Sequence, residues 1–228
     1  TLAITYNGDM DLSIIDELPK NRPEIHTSFI ENDNLSTAFN FIREKVEVGG
    51  QTIIVYPLIN ESEKQDLSAA VESFEYLRDN IFPDLNVGLM HGKLDEDSKN
   101  SEMQKFMEGE IDVLISTTVV EVGIDNPNAN VILINNSERF GLSQLHQLRG
   151  RVGRGTLESY CLLCSDSESP KTKDRLNIIV NSRNGFDIAD EDLKLRGPGE
   201  FFGEKQSGFV KFKIADLITD GPIIRDAR

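Results

Sequence analysis

Short, unbroken apolar runs alternate along the chain with stretches in which apolar residues recur every three or four positions. TIIVYPLI (52–59), DVLIST (112–117), VILINN (131–136) and SYCLLCS (159–165) are runs of strand length without helical periodicity, and read as buried strands. EIHTSFI (24–30) and NVGLMH (86–91) are further strand candidates. Between the strands, Leu35, Ala38, Phe39, Ile42 and Val46 fit a 3.6-residue period. Asp33 or Asn34 is placed to cap that helix, and Gly49-Gly50 to end it. Ser62 and Gln65 have the spacing of a capping box, ahead of a helix expected to bury Leu67, Val71, Phe74 and Ile81. A polar helix should end in Met103, Phe106 and Met107, an arginine-rich helix should follow residue 136, and another should cover 169–182. Strand–helix alternation with continuously apolar strands predicts an α/β fold, a mostly parallel sheet with helices on both faces. Ligands of such sheets gather at the carboxyl ends of the strands. His91-Gly92, Thr117-Thr118 and the 136–143 turn fall there.

The pattern fails at both ends of the chain. Residues 1–23 are irregular, punctuated by Gly8, Pro19 and Pro23. Beyond residue 182 the sequence turns rich in glycine and charge, with Pro198 and Pro222, which argues against an ordinary core element. Yet Phe186, Ile188, Leu193, Leu195, Phe201 and Phe202 are too apolar for a disordered linker. The expectation is an ordered, irregular C-terminal appendage packed on the sheet domain.

Composition narrows the class. A chain of 228 residues has room for one large or two small domains. At this length it should bury roughly 70% of its unfolded surface, so its core needs no disulfide. The two cysteines, Cys161 and Cys164, sit in a strand-like run, where residues three apart face opposite sides. They read as reduced core thiols in an intracellular setting rather than half of a zinc site. No apolar run approaches the ~20 residues of a membrane span, and the opening TLAITYNG reads as the middle of a protein, without a secretory leader.

Charge singles out one segment. The formal net charge is −15, yet RFGLSQLHQLRGRVGRG (139–155) carries Arg139, Arg149, Arg151 and Arg154 and no acid. Arg151 and Arg154, three apart, would point the same way on a helix. Gly150, Gly153 and Gly155 would let a large anion approach the backbone. Guanidinium groups bind phosphate oxygens in bidentate fashion, so the local chemistry is phosphate recognition. The rest of an NTPase is missing. GLMHGK (88–93) is too short for a P-loop, with Leu94 in place of Ser or Thr, and reads as a strand-end turn. DEDS (95–98) reads as acids in the first turn of a helix rather than a magnesium box. No dinucleotide fingerprint follows the first strand, and His26, His91 and His146 are scattered too widely for a metal site. A passive nucleic-acid module would need aromatic residues among the basic ones, and only Phe140 lies near the arginines.

TTVVEVGIDNPNA (117–129) followed by QLHQLRGRVGR (144–154) resembles motifs V and VI of superfamily 2 helicases. FGLSQLHQLRGRVGRG is similar to two bacterial translocase families, RecG and the transcription-repair coupling factor. YPLINESE (56–63), VGLMHGKL (87–94) and 175–208 also resemble RecG, DELP (16–19) and the RGPG wording favour it over the coupling factor, and the resemblance covers essentially the whole chain. It implies a RecA-like fold and the second motor domain of an ATP-dependent double-stranded-DNA translocase. Such an enzyme remodels stalled forks and Holliday junctions in recombination and repair. The resemblance implies a connector at 1–23, a helicase C-terminal domain at 24–168 and a translocation-motif appendage at 169–228. It implies that a wedge domain and a first motor domain precede the chain, and that the latter holds most of the ATP and Mg2+ contacts. Branched duplex DNA is the implied partner, no membrane is involved, and the bacterial cytoplasm is the implied location. Arg151 and Arg154 match the arginine fingers. Gln147, Gly123 and Asp125 match nucleotide-facing positions, and Thr117, Thr118 and Glu121 DNA-side positions. Residues 183–208 resemble a hairpin and loop that couple ATP turnover to duplex movement, with Arg196 and Gln206 as the candidate coupling residues.

Overall fold

The computed structural model describes residues 23–31, 34–57, 63–117 and 126–201. In chain order the elements are β1 (Ile25–Glu31), α1 (Leu35–Glu47), β2 (Gln51–Tyr56), α2 (Glu63–Tyr76), β3 (Val87–Met90), α3 (Glu96–Met107), β4 (Val113–Thr117), β5 (Ala129–Ile134), α4 (Leu142–Arg149), β6 (Ser159–Ser165), α5 (Pro170–Asn181) and α6 (Gly185–Phe201). The six strands form one sheet in the order β1-β6-β5-β2-β4-β3, and every pairing is parallel. β4 and β5 are buried at every position, as the unbroken apolar runs require of central strands covered on both faces.

Alternation along the strands divides the core in two. Ile53, Val55, Leu114, Ile132, Ile134, Cys161 and Leu163 pack under α3, α4, α5 and α6. Ile54, Val113, Ile115, Val131, Leu133, Leu162 and Cys164 pack under α1 and α2. Cys161 and Cys164 therefore lie in different cores, on opposite faces of β6. Burial, the largest cause in each case, pushes both thiols up to about 12.

Several local expectations change. Asn34 stands at the N-cap of α1 but makes no side-chain cap bond, while Asp33 and Ser62 lie outside the described residues. Among the described side chains of the α2 region Ala70 and Leu77 are buried, Phe74 and Ile81 pack against the cluster that holds Leu77, and Val71 is only half-buried; the Leu67 side chain lies outside the described residues. The helix continues into a π-turn over Leu77–Ile81, closed by Phe82 N–H donating to Leu77 C=O at 2.7 Å. That wider turn shifts the apolar stripe off a strict 3.6 period. Asp95 does cap α3, accepting from Ser98 N–H at 2.8 Å, with Glu96 and Asp97 in the first turn.

The largest correction is α6. Residues 185–201, expected to be irregular, form a helix that runs through Gly197-Pro198-Gly199. Its start is fixed locally, since the Asn184 side chain accepts from Phe186 N–H at 3.0 Å. Ile188, 1% exposed, drops into the core beside α4 and α5. Burial of Ile188 holds the first turns of α6 against the core. Phe186 and Leu195 remain about half exposed.

Candidate functional site

The arginine-rich segment divides between two edges of the sheet. α4 begins beyond the carboxyl end of β5 and runs back to the amino edge, about 12 Å for eight residues. Arg139 precedes it, in a 3-10 turn at the carboxyl edge. Arg151 and Arg154 follow it, at the amino edge. The helix ends at Arg149 with Gly150 as its cap, so Arg151 and Arg154 are presented by a turn rather than by a helix face. Gly153 stands at φ +77, a conformation that only glycine adopts at little cost, and sits against Ile25 and Ser159 where β1 and β6 begin. Gly155 lies so close to the carbonyl oxygen of Pro127 that a Cβ would overlap it. The turn is thus packed onto the chain that leads from the 117–129 motif into β5. Arg154 and Gln147 are exposed and Arg151 is half-buried.

Arg149 has a different task. It is 6% exposed and donates to the carbonyl oxygens of Ile179 at 2.7 Å and Ser182 at 2.8 Å. A third contact joins it to His146 Nδ1 at 2.9 Å. Its charge closes the C-terminal end of α5, so it does not belong to the anion-binding set that composition suggests. His146 also abuts Gly185, where a Cβ would lie 2.9 Å from Nε2.

Thr117 ends β4 at the carboxyl edge, 2% exposed. Thr118, Glu121, Gly123, Asp125 and Gln206 lie outside the described residues. Arg196 falls within α6. The structure therefore gathers Gln147, Arg151 and Arg154 at one edge and places Thr117 at the other. The carboxyl-edge rule located only the second group.

The 136–141 turn holds residues that pattern reading missed. Asn136 adopts a left-handed φ of 45°. Its amide bonds Asp166 at 2.5 Å, and Ser137 Oγ donates to Cys164 C=O at 2.8 Å. Arg175 clamps the turn from α5, donating to Phe140 C=O at 2.9 Å and Glu138 C=O at 2.5 Å. Asn136 carried a usable signal, because Asn tolerates the left-handed region. Arg175 carried none, because its partners are more than thirty residues away in sequence.

Residues 33–156 match the helicase conserved C-terminal domain. The chain belongs to that family. Residues 182–228 match the C-terminal part of domain 3 of the ATP-dependent DNA helicase RecG. RecG of Thermotoga maritima is 49% identical over 228 residues, covering 100% of this chain and 29% of the relative. RecG of a Synechocystis strain is 50% identical over 228 residues, covering 100% of this chain and 27% of the relative. A structure of RecG bound to a three-way DNA junction superposes with a TM-score of 0.76 at 46% identity, covering 98% of this chain and 28% of that one. The chain is a RecG-like helicase C-terminal region with a RecA-like fold, and it spans under a third of the length of these relatives. Among the described residues, no helix is long and apolar enough to cross a membrane.

Proposed function

We propose that this chain is the second motor domain of an ATP-dependent double-stranded-DNA translocase that remodels stalled forks and Holliday junctions. The observation that carries the reading is the 150–155 turn. It presents Arg151 and Arg154 beyond α4 with Gln147 alongside, on a backbone fixed by a left-handed glycine and by contact with Pro127. Two guanidiniums and one amide carry twelve N–H donors and no acid, which suits a polyphosphate. The names of the RecG relatives and the junction-bound RecG structure support the same activity.

When bound, ATP supplies the phosphoanhydride bond whose cleavage powers movement. In this reading Arg151 and Arg154 close on the terminal phosphate from the side opposite the preceding motor domain. They stabilise charge that develops during transfer, a contribution of ~10³–10⁵ in rate for an arginine finger. Gln147, with Gly123 and Asp125, orients the phosphates, while Thr117, Thr118 and Glu121 hold the DNA at the other edge. Among the described residues no group of three or more His, Cys, Asp or Glu is gathered for a metal ion, and we assign Mg2+ to the preceding domain. Residues 1–23 then act as the connector, 24–168 as the motor domain and 169–228 as the coupling appendage. The wedge and first motor domains complete the enzyme, which works on branched duplex DNA in the bacterial cytoplasm.

The test uses the full-length enzyme with DNA saturating. Arg154→Ala should nearly abolish ATP turnover while DNA still binds. Gln206→Ala, a neutral change in the coupling segment, should keep most DNA-stimulated turnover and lose far more of its fork unwinding. Turnover that survives Arg154→Ala would overturn the arginine-finger reading. Equal losses of both rates in Gln206→Ala would reduce 183–208 to a structural wrap.

A further inference from the structure

Gln51 opens β2 with a polar side chain that is only 4% exposed. Its Nε2 donates to two backbone carbonyls, Phe106 in the last turn of α3 and Ile111 ahead of β4, each at 2.6 Å. Carbonyl oxygens only accept, so these two bonds fix which end of the amide is nitrogen. Oε1 is thereby turned toward Asn126, whose Nδ2 donates to it at 3.0 Å and to Phe106 C=O at 3.1 Å. Asn126 Oδ1 accepts from Asn128 N–H at 2.9 Å. Each amide nitrogen thus makes two bonds, and Asn126 is fully buried. A polar network satisfied in this way, in a low dielectric, holds its members in one arrangement.

The network closes around Pro127. On one side, Asn126 is bound to the Gln51 side chain. On the other, Asn128 C=O accepts from Gln51 N–H at 2.8 Å. Gln51 therefore grips both neighbours of Pro127, whose ring restricts the backbone between them. The Pro127 carbonyl is the group on which Gly155 sits, too close for any Cβ. Gly155 directly follows Arg154. The register of β2 on β5 also steps here, with Gln51 facing Ala129 and Thr52 facing Val131. Asn130, passed over by the step, donates to Glu158 C=O at 3.3 Å, a second tie to the stretch that follows the arginine turn.

Capping the carbonyls of Phe106 and Ile111 needs only the Gln51 nitrogen. The bond to Asn126 and the grip on Pro127 are additional, and they lead to the arginine turn.

We propose that Gln51 is a positioning residue for ATP turnover, setting through Asn126 and Pro127 the place of the turn that presents Arg151 and Arg154. The proposal rests on the arginine-finger reading. Gln51 is enclosed and acts only through these neighbours.

The experiment measures ATP turnover of the full-length enzyme against ATP concentration, with DNA saturating. Gln51→Met nearly keeps the volume and removes the side-chain bonds. It should lower kcat at least about tenfold, since ~1 Å of misplacement can cost ~10² in rate. KM for ATP should change little, because the arginines act on charge that develops only in the transition state. Affinity for duplex DNA should stay at the parent value. In the Arg154→Ala background, Gln51→Met should cause little further loss, because the group it positions is already gone. Asn126→Val leaves both Gln51 carbonyl bonds in place. It should reproduce the fall in kcat with a smaller fall in Tm, and it carries the test if Gln51→Met does not fold. Parent-like kcat in either folded variant, with Arg154→Ala inactive, would overturn the positioning role alone. So would an equal fold-loss in the parent and Arg154→Ala backgrounds, which marks a general structural defect. A raised KM with unchanged kcat would overturn it as well, since that marks lost ground-state binding. Survival of turnover in Arg154→Ala would remove the arginine-finger reading, and this proposal with it.

Discussion

Arg149 and Arg154 carry the same side chain five residues apart, and their surroundings give them opposite tasks. Arg154 is exposed on a turn and meets an outside phosphate in the motor reading. Arg149 is enclosed, with its planar fork spent on two carbonyl oxygens and an imidazole nitrogen. Lysine cannot reproduce a fork of fixed geometry. Arg149→Met should therefore destabilise the domain by about 2–4 kcal/mol, the cost of leaving buried acceptors unpaired, and Arg149→Lys should recover little of it. Denaturant unfolding of the two variants checks this. A loss below about 0.5 kcal/mol, the range of an ordinary surface change, would show the bonds to be incidental.

At the scale of elements, the arginine turn is held in place by its contact with the loop before β5. Gly155 makes that contact possible, because the Pro127 carbonyl occupies the space a side chain would need. Gly155→Ala must push backbone against backbone, which cannot relax as a flexible side chain does. We expect a stability loss of about 1–3 kcal/mol, as for other overpacked sites. ATP turnover of the full-length enzyme should fall together with it, since displacing the turn displaces Arg151 and Arg154. Parent-like turnover in a folded Gly155→Ala protein would show that the turn reaches its working position without this contact. α6 teaches a related lesson. The start of this helix is fixed by the Asn184 cap and by Ile188 drawn into the core, and neither was legible in a glycine- and charge-rich sequence.

For the whole molecule, charge sets the behaviour of the isolated chain. A net charge of −15 opposes a polyanion at long range, although the 139–155 segment is locally basic. The chain alone should bind duplex DNA weakly, with a slope of log K against log[salt] near −3 if about three phosphates are contacted. It should not hydrolyse ATP, since it carries the arginines without a phosphate cradle. Tight, salt-insensitive binding by the purified chain would refute the first expectation, and robust DNA-stimulated turnover free of contaminants the second.

Local sequence was sufficient for the layered fold. Apolar runs such as VLIS and VILI have no alternative to burial on both sides, and a parallel sheet under two helix layers is what supplies it. The arginine–glycine wording suggested phosphate chemistry, the reading proposed above for Arg151 and Arg154. Tertiary structure decided which arginine does what. Arg149 is separated from Arg151 by one residue, yet its partners lie thirty and thirty-three positions away, on a helix whose docking no local pattern encodes. It also decided that Arg139 and Arg154 stand at opposite edges, because α4 crosses the sheet between them. The contact of Gln51 with Asn126 arises in the same way. They are 75 residues apart in sequence and become neighbours only through the pairing of β2 with β5. Sequence reports what a side chain can do, but which groups it meets is fixed only when the strands align.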